Sequence, residues 1–170
     1  MKNKHLSFLS LGSNLGNREK QLADACNALS KSPFIDLEVS SDIYQSPPWH
    51  SLGNSYYNQC LGIYTSLSPF ELMESLGKTE TMLGRERNYP KSIRNIDIDI
   101  IIYENISLNS RRLILPHPMS RRRPFVILPL KEIQSLKQYK ILDDFLKAVE
   151  LNPDNDHNII KLNKKGGLHG

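Results

Sequence analysis

The sequence predicts an α+β fold with a ferredoxin-like core, in which an antiparallel sheet flanked by helices forms a three-layer α-β-α sandwich. The first observation is the order of apolar patterns, which follow the periods of strand, helix, strand, strand, helix and strand along the chain. The second is size, because 170 residues with 39% hydrophobic side chains suffice for one full core and are too few for two. We therefore expect a single domain over residues 1–151 and a polar, partly disordered tail over 152–170.

The first half of the chain contains the first strand, the first helix and the second strand. LSFLSL at 6–11 is typical of a strand and is closed by the turn-forming GSNLGN. The helix that follows begins after Asn17, a favourable N-cap, and carries one apolar face at helical spacing. Residues 34–44 alternate as a single second strand, after which the proline-rich segment at 46–54 excludes regular structure.

The second half of the chain begins with a third strand at 56–67. Ser68 and Glu71 then form a capping box with a proline between them, which predicts a helix that ends at Gly84 in the left-handed conformation. A polar loop leads to a further strand, and SLNSRRLILP predicts a short hairpin. The segments FVILPLKEI and KILDDFLKAVEL predict two more helices.

The most informative segment is SIRNIDIDIII at 92–102, an isoleucine-rich run that predicts a strand because β-branched residues favour strands. Alternate side chains of a strand share a face, so Asp97 and Asp99 point the same way, with Cα atoms about 6.5 to 7 Å apart. The predicted opposite face consists of Ile96, Ile98, Ile100 and Ile102. Two like charges this close repel each other unless a cation lies between them, which makes the pair a candidate cation site.

Magnesium is the cation that fits this aspartate pair, because it takes one or two carboxylates together with substrate phosphates. Eight of the nine arginines lie between positions 85 and 123, and a guanidinium fork matches phosphate oxygens two at a time. Carboxylates beside arginines indicate a site for a metal-bound polyphosphate. Taken alone, the two features also fit the wet face of an edge strand and a solvated arginine-rich surface.

Four further segments have both a functional and an ordinary structural interpretation. SPPW, with Tyr56 and Asn58 after it, can stack a flat heterocycle and hydrogen-bond its edge, or it can be ordinary loop packing. His117 lies between two prolines near three arginines, where it either binds a phosphate or marks a turn. Glu80, at a helix end, either orients an arginine or is a surface acid. GSNLGN lacks the pattern of a phosphate-binding loop and indicates a plain turn.

Composition excludes several classes of protein. The net charge of +4 is far below that of a dedicated nucleic-acid arm. Cys26 and Cys60 lack metal-ligand spacing, which indicates buried free thiols in a reducing compartment. No stretch has membrane-spanning length and no cleavable leader is predicted, so we expect a cytoplasmic protein without a membrane partner. The alternative from another class is a ferredoxin-like module that binds single-stranded RNA without catalysis. Its RNP-type segment is absent, and two acids on the binding face would repel phosphate in the absence of a metal.

Six segments occur in a distinctive order and spacing: LGSNLG, YQSPPW with YYNQ, LGRER, IRNIDIDIIIY, LPHP and RPFVILPLKEI. Together, from about Leu6 to Ile133, they resemble the 6-hydroxymethyl-7,8-dihydropterin pyrophosphokinases of folate biosynthesis. The resemblance implies Mg²⁺-dependent transfer of a diphosphate from ATP to the hydroxymethyl group of the pterin, with release of AMP. It implies these two small molecules as partners, without nucleic acid, and we expect a monomer.

The resemblance also implies roles for individual residues. Two magnesium ions would be held by Asp97 and Asp99, which form the catalytic set with Arg85 and Arg94. ATP would be bound by Arg85, Arg87, Arg94, Arg112, His117 and Arg123, with Ile100 and Leu113 near the adenine. The pterin would lie between Tyr56 and Phe125, and its edge would meet Asn58 and the backbone around Ser46, Pro47 and Trp49. Glu80 matches an acid that the family carries at the end of the second helix.

Overall fold

The computed structural model describes residues 3–48, 53–84, 95–149 and 158–162. In these ranges the chain forms a six-stranded antiparallel sheet, a two-stranded sheet and four α-helices. The elements in chain order are β1 (His5–Ser13), α1 (Arg18–Ser30), β2 (Ile35–Ser40), β3 (Ile43–Ser46), β4 (Tyr56–Thr65), α2 (Pro69–Leu83), β5 (Asp97–Tyr103), β6 (Leu108–Asn109), β7 (Ile114–Leu115), a 3-10 turn (Ser120–Arg122), α3 (Pro124–Leu136), α4 (Lys140–Lys147) and β8 (Ile160–Leu162).

Helices cover both faces of the main sheet, and each face has its own apolar core. One core joins α1 and α2 to sheet residues such as Leu9 and Ile63. The other joins α3 and α4 to sheet residues such as Phe8 and Cys60. Neighbouring residues of β1 thus point into different cores, as the two-residue period of a strand requires. The predicted three-layer α-β-α sandwich is confirmed.

The strand order of the main sheet is β5-β1-β4-β3-β8, and β2 also pairs with β4. Because β2 and β3 share one edge of β4, they occupy the place of a single second strand, and the ferredoxin-like order results. The prediction of one strand over 34–44 is wrong, because the strand is interrupted at Ser41. There the Gln59 side chain donates to Ser41 O at 2.9 Å and Cys60 N–H donates to Ser41 Oγ at 3.0 Å.

Both predicted helix starts are confirmed. Asn17 accepts a hydrogen bond from Lys20 N–H at 3.0 Å, and Ser68 and Glu71 form the reciprocal capping box. The predicted left-handed end of the second helix is wrong: Gly84 has φ −87° and donates its N–H to Glu80 O at 2.9 Å. The last turn therefore closes with an ordinary helical bond, which needs no positive φ.

The aspartate strand, β5, lies at one edge of the sheet and pairs with β1. Its register shifts opposite the Phe8/Leu9 step, so that Ile101 is an extra residue. Before this bulge, Ile98 and Ile100 face the α1/α2 core as predicted. Ile102, predicted on the same face, packs instead in the α3/α4 core. The prediction for Ile102 is wrong because one extra residue exchanges the faces of all that follow it.

The predicted hairpin is the pair β6 and β7, and the last two predicted helices are α3 and α4. Within the polar tail, β8 is a strand that was not predicted from the sequence. It pairs with β3, and the Lys161 ammonium lies 3.4 Å from the Asp42 carboxylate and 3.3 Å from that of Glu132. Among the described residues, no helix is both long and apolar enough to cross a membrane.

Candidate active site

Two cavities open at the β5 edge of the sheet, and Asp99 lines both of them. The first, of about 230 Å³, is also lined by Asp97 and by five residues predicted to bind the pterin: Ser46, Pro47, Tyr56, Asn58 and Phe125. The second, of about 310 Å³, is lined by four residues predicted to bind ATP: Ile100, Arg112, Leu113 and His117. The described residues of the two predicted sets therefore lie in two adjoining cavities that share Asp99, except that Arg123, predicted to bind ATP, lines the first cavity.

Asp97 and Asp99 occupy neighbouring positions on the α3/α4 face of β5, where they pair with Gly12 and Ser10 of β1. Asp97 is exposed and the Asp99 side chain is 47% exposed, so water or a ligand reaches both carboxylates. Among the described residues, no group of three or more His, Cys, Asp or Glu side chains forms a metal cluster. Two accessible carboxylates suit Mg²⁺ if substrate phosphates supply the remaining oxygen ligands.

Contacts along the outer edge of β5 position the aspartates. Glu80 Oε1 accepts a hydrogen bond from Ile98 N–H at 2.6 Å, between the two aspartates in sequence. His117 N–H donates to Ile101 O at 2.9 Å. Because no strand among the described residues pairs with β5 on this side, a side chain of α2 and the backbone of the 117 segment satisfy groups that a sheet ladder would otherwise pair.

The His117 side chain is held close to Asp99. Its Nε2 lies 4.0 Å from Asp99 Oδ2. Burial lowers the pKa of His117 from its usual 6.5; the Asp99 carboxylate opposes this shift and the Arg123 guanidinium adds to it. Met119 N–H lies 3.3 Å from His117 Nδ1, which assigns Nδ1 as the acceptor and places the proton of the neutral ring on Nε2. The ring therefore directs an N–H donor toward Asp99.

Asn58 forms part of the floor of the first cavity and is 3% exposed. Its Nδ2 donates to Tyr44 O at 3.0 Å and to Ser46 Oγ at 2.9 Å. These two bonds assign the orientation of the amide. Its Oδ1 faces Gly12, where an added Cβ would lie 3.5 Å from it and 3.8 Å from the Tyr56 ring. Gly12 thus keeps the floor flat between an amide oxygen and an aromatic ring.

Arginines line both cavities, and Arg111 lines the second together with Arg112. Arg123, just before α3, lines the first cavity, and its guanidinium lies 5.8 Å from the Phe125 ring centre. Its Nε is buried and has no hydrogen-bond partner among the described residues, so it is a donor that a bound anion would satisfy. Arg112 lines the second cavity, where its Nη2 donates to Glu74 Oε1 at 3.0 Å.

Several predicted site residues lie outside the described ranges: Trp49, Arg85, Arg87 and Arg94. Other residues that line the cavities were not singled out from the sequence: Ser10, Gly12 and Val126 in the first, Met73 and Leu76 in the second. Gly12 is the first residue of the GSNLGN segment and Ser10 lies two residues before it, and only the register of β1 against β5 brings them opposite the aspartates. That register was not inferred from the sequence.

A family model described as 7,8-dihydro-6-hydroxymethylpterin-pyrophosphokinase (HPPK) matches residues 8–135. The chain is 35% identical to a 2-amino-4-hydroxy-6-hydroxymethyldihydropteridine pyrophosphokinase of Haemophilus influenzae, over 92% of this chain and 98% of that protein. It is 38% identical to the protein of the same name from Methylorubrum extorquens, over 75% and 81%.

Longer proteins match as well. The chain is 35% identical to the bifunctional protein FolKE of Lactococcus lactis subsp. cremoris, over 84% of this chain and 41% of that protein. A crystal structure of HPPK-DHPS in complex with substrates has a TM-score of 0.64 at 13% identity, over 93% of this chain and 46% of that one. The chain thus spans less than half of these proteins, and the structural likeness concerns the fold alone.

The family model and the relatives place this chain among the pyrophosphokinases, enzymes that transfer a diphosphate group. The chain belongs to the HPPK family, which acts in folate biosynthesis with ATP as co-substrate. The resemblance found in the sequence is confirmed. Membership of this family favours an enzyme over the RNA-binding alternative.

Proposed function

We propose that this enzyme transfers the terminal diphosphate of Mg²⁺-bound ATP to the hydroxymethyl group of 6-hydroxymethyl-7,8-dihydropterin. The hydroxymethyl oxygen bonds to the β-phosphorus, and the bond from that phosphorus to the α,β-bridging oxygen breaks. AMP leaves with the bridging oxygen, and the hydroxyl proton is released. The observation that carries the proposal is that Asp99 lines both cavities, because an in-line transfer needs the two substrates to meet at one charged centre.

The first cavity takes the pterin. Tyr56 and Phe125 offer aromatic surfaces for a flat ring, and Asn58 presents Oδ1 over Gly12 to the edge of that ring. Ser46 and Pro47 line the cavity beside them, and the resemblance adds Trp49. A buried amide with a fixed orientation binds donors on the ligand better than a mobile one, because it loses little conformational entropy when the ligand binds.

The second cavity takes ATP. Ile100 and Leu113 provide apolar contacts for the adenine, and Arg112 and His117 provide donors for phosphate oxygens. Arg123 extends the set into the first cavity, where the transferred diphosphate would arrive. The resemblance adds Arg85, Arg87 and Arg94 to the ATP site, with Arg85 and Arg94 close to the reacting phosphates.

Asp97 and Asp99 are the residues that would hold magnesium, two ions by the resemblance. Bound magnesium neutralises charge on the phosphate chain and orients it. The carboxylates themselves are placed by β5, whose edge is held by Glu80 and by the His117 backbone. We further propose that the enzyme acts as a monomer on these two small molecules, and that residues 1–151 form its catalytic domain.

Incubation of the purified chain with Mg²⁺, ATP and the hydroxymethyl pterin tests the proposal. Chromatography of the nucleotides should show AMP in equal amount to the pterin consumed, and none without pterin or with a chelator present. Formation of ADP instead would contradict diphosphate transfer. Formation of neither nucleotide would contradict the proposal as a whole.

A further inference from the structure

Arg18, the first residue of α1, contacts the chain just before β4 although it belongs to neither predicted substrate set. Its Nη1 lies 2.7 Å from the backbone oxygen of Ser55 and 2.7 Å from Ser55 Oγ. Its guanidinium carbon lies 4.0 Å from the centre of the Tyr57 ring. The Arg18 side chain therefore hydrogen-bonds Ser55 and makes a close cation–π contact with Tyr57.

The residue between these two contacts is Tyr56, which lines the first cavity. Successive side chains of a strand point to opposite faces, and Tyr57 accordingly packs against the α1/α2 core. Arg18 therefore holds the residues before and after Tyr56 from the side of the sheet that faces away from the cavity. Arg18 thus stabilises the backbone at Tyr56, but Arg18 itself does not contact a ligand in the cavity.

We infer that Arg18 is a positioning residue for the pterin subsite, acting through Ser55 and Tyr57 on the orientation of Tyr56; this inference rests on the proposed function. An aromatic side chain binds a flat ring more tightly when its orientation is already fixed in the free protein, because it then loses little conformational entropy on binding. Loss of Arg18 should free the start of β4 and weaken pterin binding. ATP binding in the other cavity should be little affected, since neither Ser55 nor Tyr57 is among the described residues that line it.

Arg18→Gln tests the inference, because glutamine keeps a polar side chain but has neither the charge nor the guanidinium fork. The KM for the pterin should rise about five- to tenfold, the change that corresponds to loss of about 1 to 1.4 kcal/mol. The KM for ATP and kcat should stay within about twofold. Arg18→Lys should recover part of the pterin affinity, because it restores the charge over Tyr57 and one donor.

Lys20→Gln is the matched control, since Lys20 is a cation of the same helix turn that pairs with Asp24 in solvent at 2.6 Å. Hydrogen exchange gives a second readout that does not depend on turnover: amides at the start of β4 should exchange faster in Arg18→Gln than in the control.

An unmodified enzyme that forms no AMP would overturn the proposed function, and this inference with it. An unmodified enzyme that forms AMP, while Arg18→Gln keeps the pterin KM of Lys20→Gln, would overturn this inference alone.

Discussion

Replacing Glu80 by alanine should lower the free energy of unfolding by about 2 kcal/mol, because it deprives a buried edge-strand N–H of a charged acceptor. Glu80 Oε1 accepts the hydrogen bond of Ile98 N–H at 2.6 Å, and Ile98 is 5% exposed. In the part of the chain that the structure describes, no strand lies beyond β5 on this side, so the sheet ladder does not supply a replacement acceptor. A hydrogen bond to a charged group is worth about 1.5 to 3 kcal/mol, and an unsatisfied buried donor costs a similar amount.

Urea unfolding followed by circular dichroism measures this loss, and thermal unfolding gives an independent value. For a domain of this size, about 2 kcal/mol corresponds to a fall in Tm of about 4 to 8 °C. Glu80→Gln keeps an acceptor oxygen without the charge and should lose about half as much. Glu74→Ala is the matched control on the same helix, because Glu74 pairs with Arg112 at the surface and should contribute less than about 1 kcal/mol.

The same substitution should also weaken magnesium binding, since Ile98 separates the two aspartates along β5. Without the hydrogen bond from Ile98 N–H to Glu80, the Mg²⁺ concentration for half-maximal AMP formation should rise by about 10- to 100-fold. Losses of this size are usual when a residue that positions a metal ligand is removed. The reasoning is refuted if Glu80→Ala unfolds within about 0.5 kcal/mol of Glu74→Ala and keeps its magnesium requirement.

Three further outcomes are expected. Asp97→Asn and Asp99→Asn should each lower Mg²⁺-dependent AMP formation at least about 100-fold while the thermal unfolding curve stays nearly unchanged, and full activity in either variant would contradict the metal assignment. Burial raises the pKa of the Cys60 thiol to about 12, so a thiol reagent at pH 8 should label Cys60 only as fast as the protein unfolds; rapid labelling would show that the site opens locally. Glu132→Ala should cost about 2 to 4 kcal/mol in urea unfolding, against less than about 1 kcal/mol for Lys161→Ala; equal losses would locate the stabilisation in the ion pair with Lys161 rather than in the bonds that Glu132 accepts from Asp42 N–H and Tyr44 O–H.

Sequence reasoning succeeded where the determining interactions are local. The capping box at Ser68 involves residues three apart, and the aspartate strand is set by its own isoleucines, so both could be predicted without knowledge of the fold. The candidate site is different, because Asn58, Phe125 and Asp99 come from three elements distant in sequence. Their common location followed only from resemblance to a family, and residue patterns alone left SPPW and His117 undecided.

Non-local pairing accounts for what was not predicted. β8 is a three-residue strand in a polar tail, and its place depends on the open edge of β3 and on the carboxylates of Asp42 and Glu132. A segment with so few apolar residues does not form a strand by itself. Gly84 likewise has the residue type of a left-handed helix end, yet its φ is −87° and its N–H donates to Glu80 O.

The bulge at Ile101 shows how one unpredicted residue shapes the site. Without it, Tyr103 would continue the face of Asp97 and Asp99 and point into the α3/α4 core. With it, Tyr103 turns to the α1/α2 core, where its O–H donates to Leu67 O at 2.6 Å just before the cap of α2. The same helix supplies Glu80 to Ile98 at the other end of β5. The bulge therefore allows β5 to be held to the α2 side at both ends while Asp97 and Asp99 face the first cavity on the opposite side.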